Sequence, residues 1–171
     1  SAYKSTLNRQ GFMNTAVTLN KQGQTLGRKG LESRAKLMEA ARRLLDTHSP
    51  VEVTAVAIAA EAGTSPASFY MYFDDTKDIL YALSEVAGQA MAAIHPIFDE
   101  PWDETNLDER ATTVVQALAK VWNEHRPVLR FRNMEAPRGA PPYEALRMAT
   151  YIPFIERFAQ DVEAKADALG Q

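Results

Sequence analysis

The sequence predicts an all-α fold. In several long stretches apolar residues recur at intervals of three and four, the spacing of one helix face, and no stretch alternates as a half-buried strand does. Proline and glycine separate these stretches and mark their ends. Because 46% of the 171 residues are apolar, the chain is able to bury a packed core.

Residues 1–28 are predicted to form a basic flexible extension, because they are rich in Ser, Thr, Asn, Gln and Gly and lack helical periodicity. The run Gly27-Arg28-Lys29-Gly30 is small and basic enough to enter a DNA minor groove. A solvated tail that attracts a polyanion nonspecifically explains the same composition.

An amphipathic helix is predicted from about Leu31 to Thr47, where Pro50 and the residue before it end the helical pattern. Its inner residues fall at i, i+4, i+7 and i+8: Leu37, Ala41, Leu44 and Leu45.

Two short helices joined by a tight glycine turn are predicted between Val53 and Asp75. Thr54 is a good N-cap for the first helix, and Gly63 stands where a helix end favours left-handed geometry. Ser65 can cap the second helix, with Pro66 at its first position. This pattern is the outline of a helix-turn-helix.

The second of these helices, from Ser65 to Phe73, is predicted to have an aromatic inner side and a small, polar outer side. Phe69 and Phe73 lie at i and i+4 and should face inward. The residues expected to point the other way are Ala67, Ser68, Met71 and Tyr72.

Helical spacing continues through the rest of the chain. A long helix is predicted over Ile79–Ile94 and ends at Pro96. Asn106 and Glu109 resemble a capping box, which begins a helix with one apolar face. The residues of that face are Leu107, Ala111, Val114, Val115, Leu118, Val121 and Trp122.

Prolines divide the C-terminal part in this prediction. Pro127 begins a shorter helix that ends near Met134, and a Pro/Gly loop follows over Ala136–Pro142. The last helix runs from about Tyr143 to Leu169, with a kink at Pro153.

Three segments resemble the first three helices of the TetR family of bacterial transcriptional regulators. They are R-A-K-L-M-E-A-A-R-R-L-L from Arg34, A-I-A-A-E-A-G-T-S from Ala57 and P-A-S-F-Y-M-Y-F from Pro66. The resemblance spans about Arg34 to Leu80, and the turn followed by F-Y and Y-F at fixed spacing is its most specific part. An ordinary helical hairpin with an aromatic core is the alternative interpretation.

The resemblance implies a three-helix DNA-binding domain over residues 29–76 and a helical ligand-binding and dimerisation domain over residues 77–171, which lacks the C-terminal helices usual in the family. It also implies a homodimeric repressor that binds double-stranded DNA at a near-palindromic operator and is released by a small, hydrophobic effector. The residues then expected at the DNA are Thr54, Thr64, Ser65, Pro66, Ala67, Ser68, Tyr70, Met71, Tyr72, Lys77, Arg28 and Lys29.

A family member of this type would bind its effector in the helical domain that follows the DNA-binding domain in the chain. The candidate lining residues are Met91, Ile94, Phe98, Trp102, Trp122, Phe131, Met134, Met148, Tyr151 and Phe154. Plain core or dimer contacts explain the same residues. Arg130 and Arg132 could neutralise an acidic ligand, although a surface role is the expected one for both.

Charge is distributed unevenly along the chain. Residues 1–50 contain nine Lys and Arg but three Asp and Glu, a net of +6; since the whole chain carries −3, residues 51–171 carry −9. This asymmetry suits a protein that presents one end to a polyanion. No apolar run spans a bilayer and no signal-peptide pattern is present, so a cytoplasmic protein without membrane contact is expected.

Enzyme chemistry is the weaker hypothesis, and a helical protein-interaction adaptor is the other alternative. The chain has no cysteine, and no nucleophile or nucleotide-binding motif is present. His48, His95 and His125 are expected near helix ends and lack metal-ligand spacing. We therefore expect no cofactor, metal or catalytic residues.

Overall fold

The computed structural model describes residues 25–99 and 105–169. Within those ranges the protein is all-α, which confirms the predicted fold class, and no β-strand is present. The six α-helices are α1 (Arg28–Thr47), α2 (Ala55–Glu61), α3 (Pro66–Tyr70), α4 (Thr76–Ala92), α5 (Leu107–Glu135) and α6 (Pro141–Leu169).

Helix α1 begins three residues before the predicted start. Gly27 is its N-cap residue, and the backbone N–H of Leu31 donates to the Gly27 carbonyl at 3.0 Å. The Arg28 guanidinium lies 3.1 Å from the Glu32 carboxylate one turn later. Arg28 and Lys29 therefore belong to the first turn of a helix, and assigning Arg28 to a flexible extension was wrong. Of the rest of that predicted extension, residues 25–27 directly precede α1, and residues 1–24 lie outside the described residues.

The predicted break at Pro127 is wrong, because α5 continues through this proline to Glu135. A proline inside a helix costs about 3 kcal/mol, since it removes one backbone hydrogen bond and crowds the preceding turn. Val128 and Leu129 directly after it are each 1% exposed. Their burial offsets that cost. His125 consequently lies within α5 and not near a helix end.

The beginning of α5 also differs from the prediction. Asn106 is the N-cap residue, but its side chain forms no capping hydrogen bond, so the predicted capping box is absent. Its ψ angle is 0°, whereas Thr54 and Ser65, which do cap helices, have ψ of 159° and 153°. An extended backbone at the N-cap is the conformation that brings the side chain over the first free N–H groups.

Only part of the predicted apolar face of α5 is buried. Val114 and Val121 are in the core, whereas Val115 and Trp122 are 63% and 40% exposed. The structure also moves other predicted boundaries: α4 ends at Ala92 before a short 3-10 helix that contains Pro96, and α6 already begins at Pro141. The predicted Pro/Gly loop is a 3-10 turn that ends at Gly139, with φ of 80°.

Two apolar clusters form most of the described core. The first joins α1, α2 and α3 to α4 and to the adjoining ends of α5 and α6, so the helix-turn-helix shares its core with the helices that follow it. Its larger members are Leu37, Ile58, Phe69, Phe73, Ile79, Leu80, Leu83, Val128, Leu129, Phe131 and Tyr143. The second lies farther along α4, α5 and α6 and contains Met91, Ile94, Phe98, Val114, Val121 and Phe154.

Candidate nucleic-acid interface

The turn between α2 and α3 is fixed by local hydrogen bonds. The backbone N–H of Thr64 donates to the Ala59 carbonyl at 2.9 Å, and that of Gly63 donates to the Ala60 carbonyl at 3.0 Å. This pair of bonds is a Schellman motif, which requires left-handed backbone after the helix. Gly63 supplies it with φ of 67°.

Side-chain caps begin both short helices as predicted. The Thr54 hydroxyl accepts from the Ala57 N–H at 3.1 Å, and the Ser65 hydroxyl accepts from the Ser68 N–H at 3.2 Å. A hydroxyl that accepts one bond keeps its own hydrogen for a second partner. Thr54 and Ser65, both exposed, are therefore free to donate to a phosphate oxygen while they cap.

Buried aromatic rings hold α3 on the domain. Phe69 and Phe73 are 0% and 1% exposed, with ring centroids 5.7 Å apart. The Arg34 guanidinium of α1 lies 4.9 Å from the centre of the Phe73 ring. These contacts fix α3 between the core and solvent, which confirms the predicted inner side.

The outer side of α3 is accessible and carries several of the predicted contact residues. Tyr70 and Met71 are 49% and 60% exposed. Three further predicted contact residues have smaller side chains and are also exposed: Ser65, Pro66 and Ala67. Tyr72 differs from the prediction, since it is half-buried and packs against the first core cluster.

A small polar concavity of about 140 Å³ lies where α1 meets the turn. Thr64 and Ser68, both predicted DNA contacts, line it together with Ser33 and Lys36 of α1; Ala62 and Gly63 complete its wall. The sequence reasoning missed Ser33 and Lys36. Lys36 directly precedes Leu37, the first buried residue of α1, but only the packing of α1 on α2 shows that it reaches the turn.

Ion pairs remove part of the positive charge of α1 from this surface. Arg42 lies 2.8 Å from Glu39, and Arg43 lies 2.8 Å from Glu61 of α2. Lys29 and Lys36 are exposed and form no ion pair within the described part of the chain. They are therefore the basic side chains of α1 best able to meet a phosphate.

Lys77 is exposed in the first turn of α4, directly behind α3. The nearby carboxylates are occupied by backbone donors: Asp75 accepts from the Asp78 N–H, and Asp78 accepts from the Asp74 N–H, each at 2.9 Å. These two carboxylates therefore hold the backbone at the start of α4. Their negative charge also lowers the electrostatic potential around Lys77.

Residues 37–83 match the sequence model of the family described as bacterial regulatory proteins, tetR family. This segment runs from α1 through the helix-turn-helix into α4, which is the part of the fold just described. The matched segment therefore carries a helix-turn-helix of the tetR type. This helix-turn-helix makes the chain a DNA-binding transcriptional regulator.

A solved structure supports the fold of this chain beyond the matched segment. The fatty acid degradation regulator FadR from Bacillus halodurans is 18% identical to it, with a TM-score of 0.63 over 83% of this chain and 72% of that one. At this identity the similarity shows the fold alone. No curated protein matches the chain.

The structure brings together half of the residues predicted to bind an effector. Met91, Ile94, Phe98 and Phe154 share the second core cluster, and Tyr151 packs against it. Phe131 belongs to the first cluster, and Trp102 lies outside the described residues. The remaining three are 40–48% exposed: Trp122, Met134 and Met148.

Arg132 corrects one prediction directly, because it is 0% exposed and has no surface role. Arg130 is exposed as expected. The sequence held a signal for this burial: Arg132 lies at i+4 from Val128 and i+3 from Leu129, on the buried face of α5.

Two polar groups lie at the junction between the helix-turn-helix and the helices behind it. The Tyr143 hydroxyl of α6 donates to the Lys77 carbonyl of α4 at 3.2 Å. Glu85 of α4 is 5% exposed, and burial raises the pKa of its carboxyl to about 7, with Arg34 lowering it and Asp78 raising it further.

Two further features are absent from residues 25–99 and 105–169. None of their helices has the length and apolar character needed to cross a bilayer. Those same residues contain no group of three or more His, Cys, Asp or Glu arranged to hold a metal ion.

Proposed function

We propose that this regulator inserts α3 into the DNA major groove as a homodimer on a near-palindromic operator. The observation that carries the proposal is the exposed outer side of α3, held in place by the buried rings of Phe69 and Phe73. In helix-turn-helix dimers the half-sites lie about 34–36 Å apart or a multiple of that spacing, because each recognition helix enters one turn of the groove.

Phosphate contacts are assigned to groups that flank α3. Thr54 and Ser65 each keep a hydroxyl hydrogen while they cap, and Tyr70 presents its ring and hydroxyl to solvent. Lys36 and Ser68 line the concavity beside the turn. A phosphate oxygen at this concavity would meet a cation and hydroxyl donors, the groups that most often contact the DNA backbone.

Base contacts are assigned to Pro66, Ala67, Ser68 and Met71. None of these side chains can form the bidentate hydrogen bonds that discriminate guanine or adenine. We therefore propose that specificity depends on thymine methyl groups and on the sequence-dependent shape of the operator.

We further propose that the protein is a cytoplasmic repressor without enzymatic activity, released from DNA by a small, largely apolar effector near the second core cluster. The α6 helix, which supplies Phe154 to that cluster, also reaches the DNA-binding part through Tyr143 and its bond to Lys77. A coupling free energy of about 1–3 kcal/mol between the two sites would suffice to change operator occupancy.

The DNA proposal is tested by selecting bound sequences from a random DNA library and titrating the best operator. Ala67→Asn places an amide near the start of α3 and should change the preferred base at one position in each half-site, by roughly 1–3 kcal/mol. Tyr70→Ala should weaken all sequences equally.

Val115→Asn on the exposed side of α5 is the matched control and should leave both affinity and preference unchanged. An Ala67→Asn protein that selects the wild-type operator would contradict the placement of α3. Sedimentation of the operator complex should give two protein copies per operator.

A further inference from the structure

Arg132 is a buried cation with unused hydrogen-bonding capacity. Its side chain is 0% exposed, and Nη1 donates to the Thr150 hydroxyl at 3.0 Å. Nε and Nη2 are buried and form no hydrogen bond of standard geometry, although the Tyr151 side chain lies close enough to interact with the guanidinium. A guanidinium has five N–H donors and remains charged in proteins, so Arg132 keeps donors for a further acceptor.

The surroundings of Arg132 on α6 are polar and cationic. Arg147, Thr150 and Tyr151 lie at i, i+3 and i+4 and so share one side of α6. The buried Nε of Arg147 also lacks a partner. Because Arg132 bonds Thr150, Arg147 one turn earlier lies on the side of α6 that faces Arg132. Burial lowers the pKa of Arg132, Tyr151 raises it, and the positive charge of Arg147 lowers it.

Among the described residues, no acidic side chain pairs with either of these two charges. The Tyr151 ring lies 5.4 Å from the Arg132 guanidinium carbon and provides the limited attraction of a cation–π contact. A buried charge without an ionic partner is strongly unfavourable, and an anion between the two groups would remove that cost.

Apolar surface adjoins the cationic group. Tyr151, which faces Arg132, also packs against the second core cluster. A ligand with its charged end at Arg132 would therefore extend along Tyr151 toward Met91 and Phe154 of that cluster.

We propose that Arg132, with Arg147 beside it, binds the carboxylate of a small organic anion whose apolar body lies against the second core cluster. This inference rests on the proposed effector response and adds its chemistry: the effector is an apolar monocarboxylate and not a neutral molecule. A carboxylate fits the forked donors of arginine and forms charge-assisted bonds with them.

The test measures direct binding to the full chain by titration calorimetry, in the absence of DNA. The probes are matched pairs that differ in charge: benzoate with benzamide, and octanoate with octanamide. Wild-type protein should bind at least one acid roughly tenfold or more tightly than its amide, because the neutral amide cannot form charge-assisted bonds.

Variants locate the binding site. Arg132→Gln should abolish the preference for the acid, and Arg147→Gln should reduce it. Arg130→Gln, which changes an exposed arginine two positions away on the same helix, should retain it. Arg147→Gln also keeps the test informative if Arg132→Gln does not fold, since Arg147 is only partly buried.

Failure of this proposal is distinguishable from failure of the effector response. If no acid is preferred over its amide, or Arg132→Gln keeps the preference, the anion site is refuted even where a neutral apolar molecule releases DNA. If an acid binds through Arg132 but leaves DNA affinity unchanged, the anion site stands and the effector response is refuted.

Discussion

Replacing Glu85 by Gln should stabilise the protein at pH 8 and have little effect near pH 5. Glu85 lies in α4 with 5% of its surface exposed, facing Arg34 of α1 and near Asp78 and Tyr81 of its own helix. Burial raises the pKa of its carboxyl from 4.5 to about 7 in spite of Arg34. Gln has nearly the shape of the protonated side chain and does not ionise.

The direction in which the free energy of unfolding changes with pH follows from proton linkage. The folded state binds the Glu85 proton more tightly than the unfolded state, so the free energy of unfolding falls as pH rises from about 4.5 through about 7. At about 1.36 kcal/mol per pH unit, the full difference is about 3 kcal/mol at pH 8 and less than about 1 kcal/mol at pH 5. The advantage of Glu85→Gln should therefore grow by about 2 kcal/mol between these two pH values.

Urea unfolding followed by circular dichroism measures this pH dependence. The protein concentration is kept fixed, because the stability of the proposed homodimer would depend on it. Histidines titrate equally in both proteins and cancel in the comparison. Glu156→Gln, at an exposed position on α6, is the control. A stability difference between Glu85→Gln and wild type that does not change with pH would refute the reasoning, as would a variant less stable than wild type at pH 8.

Three further outcomes are expected. Gly63→Ala should lower the free energy of unfolding by about 1–2 kcal/mol, because φ of 67° disfavours any Cβ although no atom lies within 4 Å of the added one; unchanged urea midpoints would contradict this. Lys36→Ala should reduce the salt slope of DNA binding by about one, whereas Lys120→Ala on α5 should not. Arg132→Met should raise the free energy of unfolding of the ligand-free protein by about 1 kcal/mol or more, since it removes a buried unpaired charge; a loss of stability in urea unfolding would show that the charge is already compensated.

Features encoded within a few residues were predictable from sequence. Thr54, Ser65, Pro66 and Gly63 act through the backbone of their own turn, so the caps, the left-handed residue and the start of α3 follow from residue type and order. The family resemblance rests on the same local pattern, and this explains why the class of protein could be identified from it.

Features decided by contacts between distant segments could not be predicted in the same way. Whether α5 passes through Pro127 depends on how much free energy Val128 and Leu129 gain against α4 and α6, a quantity that the local sequence does not contain. Since most arginines lie at the surface, residue type alone predicts a surface position for Arg132. Lys36 gains its place beside the turn only when α1 packs on α2.

The continuous first core cluster limits how this regulator can be recombined with its relatives. A DNA-binding segment cut at residue 76 would lose the side chains of α5 and α6 that cover it, among them Val128, Leu129 and Tyr143. A chimera with a new recognition specificity would therefore need matching residues at these positions. The helices to which we assign the effector response are at the same time the scaffold that supports α3.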